Sequence, residues 1–408
     1  MSETVGRDAA PYTGLVVVEL SDDPAGEQTG KHLAELGADV IKVEPPEGSR
    51  SRRTGPFAGD VAGDDTSLMF WTYNAGKRSV VLDGTASGRA ALQALIARAD
   101  VLLTTLRPSE LTAAGLDFRQ LLDAHPRLIV LSVTPFGLEG PWADYRTSDL
   151  VGLAAGGPLM SCGYDDHSIP PIRPGGNQGY QVAASFAHCG LLLALIERQQ
   201  TGAGQLVDVS MHCSLAVSGE LANPYWFYPR VLVQRQTSRH AQPDMTQPAL
   251  FRCADDRWIY FALILAEQKP WEALVEWMDS AGLAVDLTDT EYSNLTHRQQ
   301  NFHHVQDLIE VFFLLMDSAT AYHEGQRRGL PIGPVQAPED LFDDPHLAAR
   351  KFFAPLPGDE GATVLVPTTP FRFSSFPVPP PRPAPRLGED TAEILGGLSE
   401  ELARGIPG

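Results

Sequence analysis

The sequence predicts an α/β protein, with a doubly wound parallel-sheet domain over roughly the first 200 residues and a smaller α+β segment after it. Three observations carry this reading. Short β-branched runs alternate with stretches of helical spacing. Each strand–helix–strand unit closes within about 30 residues, a crossover length that makes the strands parallel. After residue 211 the alternation stops, and hairpin-like and purely helical stretches replace it.

The elements follow in order. "GLVVVEL" (14–20) is a first strand. "EQTGKHLAELGA" (27–38) is a helix with Leu33 and Leu36 on one side and Gly37 as its stop. "DVIKVEPP" (39–46) is a second strand, ended by proline. The unit recurs as "RSVVLD" (78–83), "ASGRAALQALIARA" (86–99) and "DVLLTTL" (100–106). It recurs again as "FRQLLDAHP" (118–126), "RLIVLSVTPFG" (127–137) and, last, "GQLVDVSM" (204–211). Beyond it, "ALFRCADDRWIYFALI" (249–264) reads as two strands around a polar turn. "VQDLIEVFFLLM" (305–316) places Val305, Leu308, Ile309, Phe312, Leu315 and Met316 on the core face of a helix. "FPVPPPRPAPRLG" (376–388) is an extended, proline-rich surface strap.

Composition narrows the function. The 408 residues suffice for a sizeable core, and 43% hydrophobic with 20% charged residues is ordinary for a soluble globular protein. A net charge of −20 argues against nucleic acid and anionic membranes as partners, because both require basic surface. The N-terminal "MSETVGRDAAPYTG" is polar and no apolar run reads as a membrane span, so the expected location is cytoplasmic. Cys162, Cys189, Cys213 and Cys253 show no CxxC spacing and read as reduced thiols; no metal is expected.

The common catalytic signatures are missing. "SDDPAGEQTG" after the first strand has too few glycines for a dinucleotide pyrophosphate. "NAGKRS" (74–79) ends like a P-loop, but Trp71 stands where its first glycine belongs. There is no GxSxG. "NFHHVQD" (301–307) reads as a polar helix start, and His188 with Cys189 as core positions. The stretch "PPIRPGGNQGYQVAAS" (170–185) is a glycine-rich loop entering an apolar helix, where backbone N–H groups converge. From Pro174 to Ser185 it holds no Asp, Glu, His, Cys or Lys.

A further set of strings occurs in order: "LAELGADVIKVEPPEG", "NAGKRSVVLD", "ADVLLTTLRPSEL", "AAGLDFRQLLDAHPRLIVLSVTPFGLEGPWAD", "TGAGQLVDVSM", "GLPIGPV", "DDPHLAARKFF" and "RLGEDTAEIL". Together they closely resemble the family III CoA-transferases, which include formyl-CoA and carnitine CoA-transferases and related acyl-CoA racemases. The resemblance runs from about Gly14 to Leu395. It implies a large CoA-binding domain built from both chain ends (1–215 and 331–408), a small α+β domain (225–330), and an interlocked dimer. It implies coenzyme A or an acyl-CoA as substrate, with a small carboxylic acid.

By the same resemblance, transferring members place an aspartate at the loop-to-helix corner, and that position here is Tyr180. The aspartate attacks the thioester to form an anhydride, which CoA thiolate converts to an enzyme-bound thioester. An ordinary phenol with a pKa near ~10 is only roughly 0.1% ionised at pH 7 and forms no such anhydride. No Asp or Glu lies between Asp166 and Glu197. Asp149 matches an acidic position near the family's active site, and either caps the following helix or acts in catalysis. The racemase branch pairs its aspartate with a histidine, where this chain has Ser148. The implied CoA cleft comprises Ala25 and Gly26 in the turn after the first strand, Lys42, Arg52 near the phosphates, Leu82 on the adenine side, and Thr105 with Leu106 in place of Asn-Phe. Glu27 replaces the proline after that turn. The run Arg50–Arg53 reads equally as a solvated loop. Trp71, Tyr73, Trp226 and Tyr228 fit either an acyl pocket or the core.

Three functions are compatible with these residues. The first is a non-catalytic subunit beside a homologous chain that carries the aspartate. The second is a self-sufficient CoA-transferase or other acyl-CoA enzyme, paired with itself as a homodimer, with a displaced nucleophile or a different reaction such as direct acyl transfer between bound substrates. The third is a CoA-binding scaffold without turnover.

Overall fold

The structure, a computed structural model, describes residues 9–219, 221–261, 267–357 and 363–404, with side chains to Leu398. It separates into two compact units. The first holds the residues up to Pro158, Pro174–Gly219 and those from Pro345 on; the second holds Leu159–Arg173 and residues 221–344.

The first unit is built on a six-stranded, wholly parallel sheet. In chain order its elements are β1 (Val16–Leu20), α1 (Pro24–Glu35), β2 (Asp39–Glu44), α2 (Leu68–Asn74), β3 (Arg78–Val81), α3 (Ala86–Ile96) and β4 (Val101–Thr104). They continue with α4 (Pro108–Ala114), α5 (Phe118–Ala124), β5 (Ile129–Thr134), α6 (Asp149–Gly156), α7 (Gln178–Thr201), β6 (Leu206–Ser210) and α8 (Met211–Val217). All six strands lie inside the runs expected from sequence. The strand order is β3-β2-β1-β4-β5-β6, so the winding reverses between β1 and β4, which pair with Leu20 opposite Thr104. Every residue of β4 and β5 is buried. Their near-continuous apolar character follows from helices covering both faces of a parallel sheet.

Most helices in this unit start on a polar cap. Asp23 caps α1, Thr85 caps α3 and Asp117 caps α5, each accepting backbone N–H groups of the first turn. Helix α7 differs: Asn177 opens it in the left-handed region (φ 53°) without a side-chain cap. Although the sequence strings suggest no membrane-length run, α7 is by length and composition long and apolar enough to be one, with an 18-residue window of mean hydropathy 1.5. Ala183, Ala184, Ala187 and Leu191 are its fully buried positions, and it packs on α1, β5 and β6.

The second unit contains α9 (Ala222–Phe227), the hairpin β7 (Gln234–Gln236) and β8 (Arg239–Gln242), and the strands β9 (Leu250–Arg252) and β10 (Trp258–Phe261). Helices α10 (Gln268–Ser280), α11 (Leu295–Gln300), α12 (Phe302–Leu314) and α13 (Ser318–Arg327) follow, then β11 (Ile332–Pro334), which completes the sheet β11-β10-β9. The expected two-strand stretch is present as β9 and β10; its residues 262–264 lie outside the described ones. Phe251, Phe261, Trp277, Phe312 and Phe313 form the heart of this core. Of the positions expected on the α12 core face, Val305, Ile309 and Phe312 are buried, but Leu315 is 65% exposed because the helix has already ended at Leu314. Within the same unit Asp165 pairs with Arg239 at 2.8 Å, and the buried Arg235 donates to the Ile169 carbonyl at 2.6 Å.

The chain then rejoins the first unit through α14 (Pro345–Ala349), the hairpin β12 (Phe353–Pro357) and β13 (Thr363–Pro367), the proline-rich strap, and α15 (Thr391–Arg404). The strap is extended, and Gly76 N–H donates to the Pro383 carbonyl. Where α15 begins, Asp390 accepts Ser79 N–H at 2.8 Å, and Thr391 Oγ1 accepts Val81 N–H at 3.0 Å. Both acceptors satisfy the otherwise open edge of β3. Ile394 and Leu398 then join the core beneath the sheet.

Candidate functional site

Two places in the first unit hold the residues singled out in the sequence: the start of α7 and the carboxyl edge of the sheet around β1 and β4.

At the start of α7 the backbone is set by Gly176 (φ 81°) and Asn177. The first-turn N–H groups need acceptors, and the Asn177 side chain caps none of them. Asp149 supplies one. It is the first residue of α6, but Ser148 caps that helix through its hydroxyl, which accepts Val151 N–H. The Asp149 carboxylate instead reaches across and accepts Gly179 N–H at 2.7 Å. It therefore caps α7, not the helix that follows it. Gly179 eases this approach, since a methyl group there would lie 3.0 Å from Asp149 Oδ1, a tight contact that the carboxylate would have to yield to. Asp149 is 3% exposed, and Tyr180, the next residue along α7, is half-buried. Asn177 Nδ2 donates to the Tyr73 hydroxyl at 3.3 Å. The corner thus presents two phenols, an amide and one engaged carboxylate.

A polar lane runs where α1 and α7 pack. Gln28 and His32 are 2.6 Å apart, His32 meets His188 edge to face, and the Tyr12 hydroxyl lies 3.1 Å from His188 Nε2. Burial, with His188 and two lysines nearby, pushes His32 down to about 4, so its ring is neutral at pH 7. His188 is thus a polar partner of Tyr12 and not a core filler. Its spacing from Tyr12, 176 residues upstream, leaves no sequence signal.

The carboxyl edge carries Ala25 and Gly26 in the first turn of α1, and Leu82, Thr105 and Leu106 just beyond the ends of β3 and β4. Leu82 and Thr105 belong to strands three places apart, roughly 14 Å by strand spacing. Ala25, Gly26 and Thr105 are buried, while Leu82 and Leu106 are half-buried against the core. Asp23 accepts N–H bonds from Ala25 (2.9 Å) and Gly26 (3.3 Å).

Lys42 and Arg52 lie beneath this edge, both fully buried. Lys42 sits 3.2 Å from Glu19 and 3.0 Å from Glu27, and donates to the Ser21 carbonyl. Lys77 joins them, 2.7 Å from Glu19. Burial alone would raise Glu19, but Lys77 and Lys42 hold its carboxyl low; burial, with Lys42 adding to it, pushes Lys77 down to about 8. Gly30 makes room for this group, because a methyl there would lie 1.8 Å from Glu19 Oε2. Arg52 grips Glu44 through two N–H bonds of 2.7 and 2.8 Å, reaches Asp65 and the Pro385 carbonyl, and covers the Phe70 ring at 3.7 Å. Against the effect of burial, the Arg52 bonds and the Lys42 charge hold Glu44 at about 2. Both cations are occupied inside the unit, so neither faces a crevice. Arg50 and Arg53 are the exposed members of the run: Arg50 donates to the Asp22 carbonyl, and Arg53 to the Glu47 and Gly48 carbonyls. Glu19, Glu44 and Lys77 were not singled out from sequence; the signal available was charge at buried strand positions, as in "VVVEL" and "DVIKVE".

Comparison with known proteins adds a family. A model of CoA-transferase family III matches residues 12–391. The chain is 34% identical over 397 residues to succinyl-CoA:(R)-benzylsuccinate CoA-transferase subunit BbsE of Thauera aromatica, covering 96% of this chain and 94% of that one. It is 29% identical to the succinate–glutarate CoA-transferase of Agrobacterium fabrum (strain C58), covering 95% and 96%. Among solved structures, a CAIB/BAIF family protein from Brucella suis superposes with a TM-score of 0.82 at 28% identity, over 96% of this chain and all of that one.

Proposed function

Because this chain belongs to CoA-transferase family III and so acts on acyl-CoA thioesters, we propose that it is the subunit of a heteromeric CoA-transferase that lacks the attacking carboxylate. Its partner is a homologous chain that carries one, threaded with it as an interlocked pair. The observation that carries this reading is the start of α7. Tyr180 stands at the corner, and the Asp149 carboxylate beside it is buried and accepts Gly179 N–H. BbsE, itself named as a subunit, supports the reading.

The reaction asks for a carboxylate that attacks the thioester carbonyl, expels CoA thiolate and becomes an acyl anhydride. The thiolate then attacks the enzyme's carbonyl, releasing the first acid and leaving an enzyme thioester for the second acid. A phenol cannot become such an anhydride, so in this chain the corner shapes the site and the partner's carboxylate reacts. Asp149 favours a second reading in which it is the displaced nucleophile, since it is the one acid at the corner.

The test is a discontinuous assay of acyl-CoA formation with purified chains, alone and mixed. The expected result is no transfer by this chain alone and transfer on mixing. That transfer should be abolished by removing the partner's corner aspartate and largely retained in Tyr180→Phe. Turnover by this chain alone, lost in Asp149→Asn, would establish the second reading. Turnover alone that is lost in Tyr180→Phe would make the tyrosine itself the site.

A further inference from the structure

A diphosphate bound at the switch point of a doubly wound sheet uses three things. It takes N–H groups from the helix start, backs against a glycine, and meets cations that face the crevice. In this chain the first two are engaged internally, and so are the buried cations Lys42 and Arg52, leaving Arg50 and Arg53 as the exposed cations nearby. Pro24 has no N–H, Ala25 and Gly26 donate to the Asp23 carboxylate, and Glu27 N–H donates to the Asp23 carbonyl at 3.1 Å. The space beside Gly26 is filled by protein, because a methyl there would lie 2.4 Å from Thr105 Cγ2 and 2.6 Å from Ser21 Cβ. Thr105 also closes the gap between the two strand ends, its hydroxyl accepting Asp22 N–H at 3.2 Å. Lys42 and Arg52 are locked onto Glu19, Glu27 and Glu44. At the mouth stand Asp22 and Asp23, two carboxyl groups where a phosphate would bring its own negative charge.

Resting on the subunit reading, we propose that the Asp23 side chain occupies the phosphate seat of this chain's own crevice. The nucleotide arm of CoA is then held by the partner's crevice alone, and the heteromer binds one CoA per pair of chains. Asp23 is in this sense a positioning residue for the whole enzyme: it assigns the cofactor-sized substrate to one side of the pair.

Calorimetric titration of coenzyme A into this chain alone tests the proposal. The native chain should give no saturable heat at ~1 mM CoA. Burial raises the Asp23 carboxyl to about 7, so the titrations are run at pH 8, where it is mostly charged; Asp23→Gly then frees both amides and removes that charge, while glycine at a helix N-cap costs only a few tenths of a kcal/mol. It should bind CoA at least ~10-fold more tightly than the native chain, with pantetheine, which lacks the nucleotide, unchanged. Asp23→Asn keeps the cap and removes the charge alone, and should give a smaller gain; it keeps the test decisive if the glycine variant unfolds. Titration of the heteromer should give one CoA per pair. Binding by the native chain without turnover, no gain in either variant, or two CoA per pair would overturn the proposal and leave the subunit reading standing. No binding by the native chain, a gain in the variants, and no partner chain that restores transfer would remove the subunit reading and leave Asp23 in its place.

Discussion

At the start of α7 the Asp149 carboxylate does what Asn177, in its left-handed conformation, does not: it gives a first-turn N–H its acceptor. The bond is short and buried, so its loss leaves a donor without water or protein to satisfy it. Asp149→Ala should therefore lower the stability of the first unit by ~1–2 kcal/mol. Asp149→Asn keeps an acceptor and should stay near the native value. Thermal unfolding of the two variants checks this, and an equal drop in both would mean that charge, not the hydrogen bond, is the stabilising part. An acid beside a helix start was legible in the sequence, and Asp149 does cap a helix. Which helix was not legible, because Ser148 competes for the nearer role and Gly179 lies 30 residues downstream. Tyr180 was located through its place in the chain, whereas the neighbour that gives its corner a carboxylate is set by the packing of α6 on α7.

Among elements, β1, β2 and α1 are joined by charge as well as by their ladders. Glu19 on β1, Glu27 on α1 and Lys42 on β2 meet in one buried group, with Glu44 and Arg52 alongside. Glu44 titrates at about 2 when folded and near 4.5 when free. A carboxyl with a depressed folded value stabilises fully above 4.5, and that contribution, on the order of 3 kcal/mol, is lost as pH falls from 4.5 towards 2. Glu44→Gln should flatten the loss of stability across that window. At neutral pH it should cost ~3–5 kcal/mol, because Arg52 is left buried beside a neutral group. Denaturant midpoints measured from neutral to acid pH separate the two effects, and an unchanged acid slope would show that Glu44 is not the titrating group. The strands themselves were readable from β-branched runs. The charges within them were not, since a Lys or Glu in an apolar strand reads the same whether it faces solvent or an opposite charge three elements away.

The first unit is closed by residues from the far end of the chain. Asp390 and Thr391 satisfy N–H groups on the edge strand β3, and Ile394 and Leu398 sit in the core below it, each worth about 1.5–3 kcal/mol when fully buried. A chain ending before Asp390 should lose most of this, unfold at clearly lower temperature, and expose an apolar edge that associates. Scanning calorimetry with light scattering on the shortened chain is the check, and an unchanged transition would mean that α15 is dispensable. Ser79 and Asp390 stand 311 residues apart. During synthesis at ~5–20 residues per second, β3 therefore waits roughly 15–60 s on the ribosome before its covering segment exists. For that interval the sheet has an open border, and the cell must either shield it or hold the whole unit unfinished. The rate at which this protein accumulates should depend on the codons for residues 390–398 more than on those of any stretch between them and β3.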